Sequence, residues 1–136
     1  MLCVEWGLSQ TANRTVANTF YLRIACNHLH LTHLESSRVA VVEADPPFSN
    51  QRLLVADFSI ADRLIKETVQ SLMPKRLAFL NAAPKLLIQP LEMLEGGLSQ
   101  VEERILMELG MGAGARKVVV HVGEILDAAG VRIRLK

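Results

Sequence analysis

Aromatic residues are scarce: the 136-residue chain has one Trp, one Tyr and four Phe. So few rings cannot supply the stacking platforms that hold single-stranded nucleic acid, and they leave the core to aliphatic side chains. Cysteine is nearly missing as well. Cys3 and Cys26 make neither a disulfide framework nor a zinc-finger spacing, which points to a reducing cytoplasm. No run of about 18 apolar residues exists to cross a membrane, and the start lacks the basic region and long apolar core of a signal peptide. Neither sign of charge dominates: 15 basic against 14 acidic residues leave +1, so nothing global attracts nucleic acid. What is present is a chain half hydrophobic and 21% charged, long enough to bury one core. One soluble globular domain is the expectation, with no internal repeat or low-complexity segment.

Residues 1–19 mix Leu2, Val4, Trp6 and Leu8 with a polar run from Ser9 to Arg14. They read either as a short anchor led by Trp6 or as a loosely packed N-terminal extension. The lack of a basic polar face favours the extension. The folded unit is then 20–136. From Phe20 to Val42 the pattern is strand-like, with Phe20, Leu22 and Ile24 alternating, then Leu29 and Leu31, then Val39, Val41 and Val42. Three antiparallel strands in a meander follow, with Asn27 at the first turn. After a loop at 45–50, Ile60, Leu64, Ile65, Val69 and Leu72 line a helical face that Pro74 ends, and Ser59 with Asp62 suggests a capping box. Asp57, just before this helix, is placed to cap it.

Pro84 and Pro90 bracket a short buried strand at Leu86-Leu87-Ile88. Ser99 and Glu102 make a second capping box for a helix over 100–109, with Gly110 as its stop. Val118-Val119-Val120 reads as a strand buried on both faces. Strand, helix and strand in this order make a βαβ unit, which nearly always closes right-handed. The tail Val131-Arg132-Ile133-Arg134-Leu135-Lys136 alternates apolar and basic residues, as an edge strand would. Val131, Arg132, Ile133, Arg134 and Leu135 are therefore the candidate surface for self-association or a protein partner through strand addition.

Cys26, His28 and His30 fall at i, i+2 and i+4, with His33 near. On one uninterrupted strand the first three would share a face and could approach a soft or borderline metal. The turn at Asn27 interrupts that strand, and the spacing matches no zinc pattern. A solvated strand face is the plainer reading, and no metal or cofactor is expected. His121 reads as a hydrogen-bonded strand-end histidine. Glu102, Glu103 and Glu108 with Arg104 read as a solvated helix face. The glycines of Gly110-Met111-Gly112-Ala113-Gly114 precede a strand rather than a helix, the wrong context for a phosphate loop.

Gly112-Ala113-Gly114-Ala115-Arg116-Lys117-Val118, preceded by Val101-Glu102-Glu103-Arg104, resembles a segment of the family of the bacterial actin homologue MreB, the rod shape-determining protein. In that family a Val-Glu-Arg-Arg helix leads into Gly-Ala-Gly-Ala-Arg and an apolar strand. Val55-Ala56-Asp57-Phe58 is similar to the family's Ile-Ala-Asp-Phe, and Pro84-Lys85-Leu86-Leu87-Ile88 to its Pro-Arg-Val-Leu strand. The resemblance runs over about 20–122. It implies an actin or ribonuclease H-like subdomain. In actin-like ATPases the first hairpin carries Asp-Leu-Gly-Thr, whose acid helps organise the metal and whose turn donates to phosphate. Here Arg23-Ile24-Ala25-Cys26 stands in that place, and His121-Val122-Gly123-Glu124 replaces the family's Glu-Glu-Pro.

The expectation is an α/β fold: a mixed sheet with an N-terminal antiparallel meander plus a βαβ unit, in a single half domain of actin type. By resemblance the chain is a cytoplasmic, non-catalytic scaffold or interaction protein, with MreB or the cell-elongation machinery as the implied partner and no nucleic acid. Two alternatives stand beside it: a small metal- or ligand-binding protein using Cys26, His28 and His30, and half of an actin-like ATPase completed in trans.

Overall fold

The computed structural model describes residues 16–76 and 80–136. Three strands, β1 (Thr19–Ala25), β2 (His28–His33) and β3 (Arg38–Glu43), form the antiparallel meander. Asn27 takes φ 54° at the first turn, the left-handed conformation that asparagine tolerates well. Helix α1 (Phe58–Leu72) carries the chain to β4 (Lys85–Pro90), which pairs parallel with β1. Helix α2 (Gln100–Gly112) then leads to β5 (Lys117–Val120), parallel to β4, and α3 (Ala128–Arg134) ends the chain. The sheet order is β3-β2-β1-β4-β5.

Burial follows from this order. β1 and β4 lie inside the sheet with neighbours on both sides, and both faces of each are largely covered. β2 alternates strictly, its odd-numbered Leu29, Leu31 and His33 buried. One face packs Phe20, Leu22, Ile24, Leu29, Leu31, Leu86, Ile88 and Val118 against Ala61, Ile65 and Val69 of α1 and Leu106 and Leu109 of α2. The other face packs Tyr21 and Leu87 against Val131 of α3 and Leu135, just past its end. β5 is an edge strand, so only Val118 is buried and Val119 and Val120 are half-buried, not covered on both faces as the valine run suggests.

Helix starts follow local chemistry. At α2 the capping box is complete: Ser99 Oγ accepts from Glu102 N at 3.1 Å, and Ser99 N donates to Glu102 Oε1 at 3.2 Å. Ser99→Ala should cost about 1 kcal/mol in urea unfolding, and no change would mean that packing alone sets the start of α2. At α1 Asp57 is the cap, its Oδ1 accepting from Ile60 N at 3.0 Å. Ser59 and Asp62 do not form the expected box, since both lie inside the helix and Asp62 pairs with Lys66 at 2.8 Å. Helix α2 also runs through Gly110 to Gly112, so Gly110 is not its stop.

The largest departure is the tail. Val131, Arg132, Ile133, Arg134 and Leu135 form no edge strand; all but Leu135 lie in α3, and Leu135 is its C-cap. Asp127 caps the helix, accepting from Gly130 N at 2.7 Å. Val131 and Leu135, four residues apart, are buried, while Ile133 between them is 65% exposed. Strand addition at this segment is therefore excluded. Among the described residues the sheet edges are β3 and β5. The N-terminal extension reading falls mostly on residues 1–15, outside the described residues; Val16 already bridges Asn81.

Candidate functional site

In an open sheet with parallel strands, ligand crevices form outside the carboxyl ends of those strands, where the chain order reverses. In this sheet that point lies beyond β1 and β4. A cleft of about 500 Å³ opens there, between the β1–β2 turn at Cys26, the 51–53 loop, and the segment after β4 that carries Glu92, Met93, Glu95 and Gly97. Glu92, Glu95 and Glu102 line it against one base, Arg52. An acidic lining of this kind opposes a bare phosphate.

The turn itself is occupied by the protein's own groups. Cys26 N donates to Glu92 Oε2 at 2.5 Å. Asn27 N donates to Ser49 Oγ at 3.0 Å, and Asn27 Oδ1 accepts from Ser49 N at 2.7 Å. The Asn27 carbonyl accepts from Ala44 N at 2.8 Å. Both backbone donors of the turn therefore point at side chains of this chain. Burial pushes the Cys26 thiol up from its ordinary pKa, and the hydrogen bond and charge of Glu92 add to that. Such a thiol is a poor thiolate nucleophile.

The cysteine and histidines singled out by spacing go separate ways. Cys26 sits in the turn, His28 Nδ1 meets Glu43 Oε1 at 2.5 Å, and His30 accepts from Arg23 Nη2 at 2.9 Å. Among the described residues no three His, Cys, Asp or Glu side chains come together to hold a metal ion. Burial lowers the His30 pKa, and the Arg23 charge lowers it further. His33 points to the opposite face, 1% exposed, with Nε2 on Asn18 Oδ1 at 2.9 Å and Nδ1 on Ser36 Oγ at 2.7 Å. His121 follows β5, its Nε2 donating to the Glu124 carbonyl at 2.9 Å. Arg104 pairs with Glu108 at 3.3 Å on the surface of α2.

Arg23, which the sequence resemblance sets in the place of the ATPase acid, lies on the sheet face that α3 partly covers, beside Tyr21. The Tyr21 hydroxyl donates to Gln89 Oε1, and Gln89 Nε2 donates to the Gly123 carbonyl at 2.9 Å. Glu92, Ser49 and Gln89 were not evident from motif spacing. The one signal for Glu92 is its position two residues past the proline that ends β4, at the reversal point of the sheet.

No protein-family model matches the chain. Among solved structures, the ethanolamine utilization protein EutJ from Carboxydothermus hydrogenoformans superposes with a TM-score of 0.51 at 17% identity, over 79% of this chain and 37% of EutJ. The PPX-GPPA enzyme of Aquifex aeolicus matches with a TM-score of 0.36 at 10% identity, over 78% of this chain and 36% of that one. The fold is thus actin-like, and the chain spans little more than a third of EutJ. In sequence, the chain is 43% identical over 103 residues to the uncharacterized protein YjaA of Escherichia coli, across 74% of this chain and 80% of that protein, and it belongs to the YjaA family.

Proposed function

We propose that this chain is a non-catalytic half domain of actin type that acts through protein contacts, as a scaffold or interaction module. The observation that carries this reading is the β1–β2 turn, whose two amides donate to Glu92 and Ser49 of the same chain. A phosphate approaching the turn would have to displace a carboxylate already seated there, inside an acidic cleft. The sequence resemblance adds to this, because it sets Arg23 where the ATPase family carries a metal-organising acid, and no carboxylate stands at that position. The sequence resemblance to the MreB family extends the proposal to a partner in bacterial cell shape or the cytoskeleton.

Calorimetric titration of the full chain with magnesium and ATP tests the proposal. The expected outcome is no saturable heat and no released phosphate. Tight magnesium-dependent binding, or measurable hydrolysis, would overturn it. A second reading, activity completed in trans by another actin-like half, is favoured by the chain's coverage of 37% of EutJ. It requires phosphate release that appears only when a protein recovered on the immobilised chain is added back.

A further inference from the structure

Helix α3 covers only part of its sheet face. Beside it lies a groove of about 210 Å³, with Leu34, Leu126 and Val131 on its apolar wall and Arg23, Thr32 and Ser37, with Tyr21, among its polar lining. Arg23 is half-buried in the middle strand of the sheet. Its Nε is buried with no acceptor, its Nη2 donates to His30 Nδ1 at 2.9 Å, and its guanidinium carbon lies 5.7 Å from the centre of the Tyr21 ring. The His30 ring, whether neutral or protonated, brings no negative counter-charge to the guanidinium.

The carboxylates of the first two hairpins and the register partner of Arg23 are committed elsewhere. Glu43 pairs with His28, and Glu35 pairs with Arg132 at 3.2 Å. Gln89, opposite Arg23 in the β1–β4 register, has its carbonyl on the Tyr21 hydroxyl and its amide on Gly123 and Glu124 carbonyls. Among the described residues no carboxylate lies within ion-pair distance of Arg23. A guanidinium partly withdrawn from water without a counter-charge is stabilised by a carboxylate, and its planar fork fits one in two-point contact.

We propose that this groove binds an aliphatic carboxylate. Arg23 takes the charge, the Thr32 and Ser37 hydroxyls donate to the carboxylate oxygens, and Leu34, Leu126 and Val131 enclose a short apolar body. A groove of this size holds an apolar body of a few carbons beside the carboxylate. Two sources carry this chemistry, a free short-chain acid and the C-terminal carboxylate of a polypeptide ending in an aliphatic residue. The site is separate from the turn at Cys26 and does not depend on whether the chain hydrolyses ATP.

The test is a titration of the isotope-labelled full chain, followed by NMR, with hexanoate, hexanamide, and N-acetyl-Ala-Leu as free acid and as amide. Saturable shifts at Leu34, Leu126, Val131 and the Arg23 side-chain NH are expected with one or both acids in the millimolar range. Neither amide should produce them, and the acid that saturates first identifies the source. Arg23→Gln should weaken the better acid about tenfold or more, and Arg23→Lys less. Thr32→Val, which keeps the side-chain shape, should weaken it by about half an order of magnitude and serves if the Arg23 variants fail to fold. Amides that bind as well as acids, acids that produce no saturable shift, or undiminished binding in folded Arg23→Gln or Thr32→Val would each overturn the proposal.

Discussion

Glu35→Ala should lower the stability of the chain by about 2–4 kcal/mol, because it strips two donors of Thr19 at once. Thr19 N and Thr19 Oγ1 donate to the two Glu35 oxygens at 2.7 and 2.8 Å, and Thr19 is only 6% exposed. Without the carboxylate both donors stay buried at the first residue of the central strand. The Arg132 contact, half in water, adds little. Against a total of about 5–15 kcal/mol, a loss of this size is a large share of the folding free energy. Urea unfolding checks it, and a loss no larger than that of Arg132→Ala would mean that the Thr19 donors find other partners.

The same cluster sets the acid limit. Burial alone would raise the Glu35 carboxyl pKa, but hydrogen bonds from the Thr19 hydroxyl, the Thr19 amide, its own backbone and Arg132 outweigh it and hold the group below its ordinary value. Burial lowers the His33 pKa; Glu35 opposes that shift, and the charges of Arg76 and Arg38 reinforce it. Both groups are therefore easier to protonate in the unfolded chain than in the folded one, and both favour folding at neutral pH. The His33 contribution fades as pH falls below about 6.5 towards its lowered folded value, and the Glu35 contribution fades only at still lower pH, through its own. Thermal melts should show a plateau above neutrality and a two-stage decline in acid. A decline confined to the carboxylate range would remove His33 from this account.

Gly110→Val should destabilise by about 1–3 kcal/mol, since a Cβ at this position would stand 2.8 and 2.9 Å from the two methyls of Val118 and 3.1 Å from Ile88 Cδ1. Val118 and Ile88 stand on adjacent paired strands packed under the helix, so they cannot withdraw as a surface side chain would. Gly110→Ala meets the same atoms but gains up to about 1 kcal/mol of helix propensity, so its net cost is smaller. Val118→Ala in the same chain should relieve most of the Gly110 penalty. Strict additivity of the two changes, measured by a double-mutant cycle, would show that the close approach is not what penalises the side chain.

Gly110 also shows why sequence patterns carried only part of the fold. A glycine at the end of an apolar period reads as a helix stop, yet here it lets α2 lie close against β5, which is a tertiary fact. The tail presents the same difficulty in another form. Val131, Ile133 and Leu135 satisfy a strand's alternation, while Val131 and Leu135 alone satisfy a helix. The deciding signal was Asp127 followed by Gly130, with Leu126 before the cap and Val131 four residues after it, an arrangement that resembles a hydrophobic staple. The meander, the Ser99–Glu102 box and the proline-bounded β4 were legible because each is fixed by neighbours in sequence. Glu92 at the Cys26 amide and the unmatched Arg23 were not, because each depends on residues dozens of positions away meeting across the sheet.

The Glu92 contact also alters the terms of competition for the turn. A carboxylate tethered to the same chain is present at a fixed local concentration, at the millimolar scale or above for a short tether, however dilute the protein becomes. Dilution, dialysis or depletion of solutes removes a bound ligand but not this one. The Cys26 amide therefore behaves as a site whose occupancy is set by folding, and only slightly by the composition of the surrounding solution.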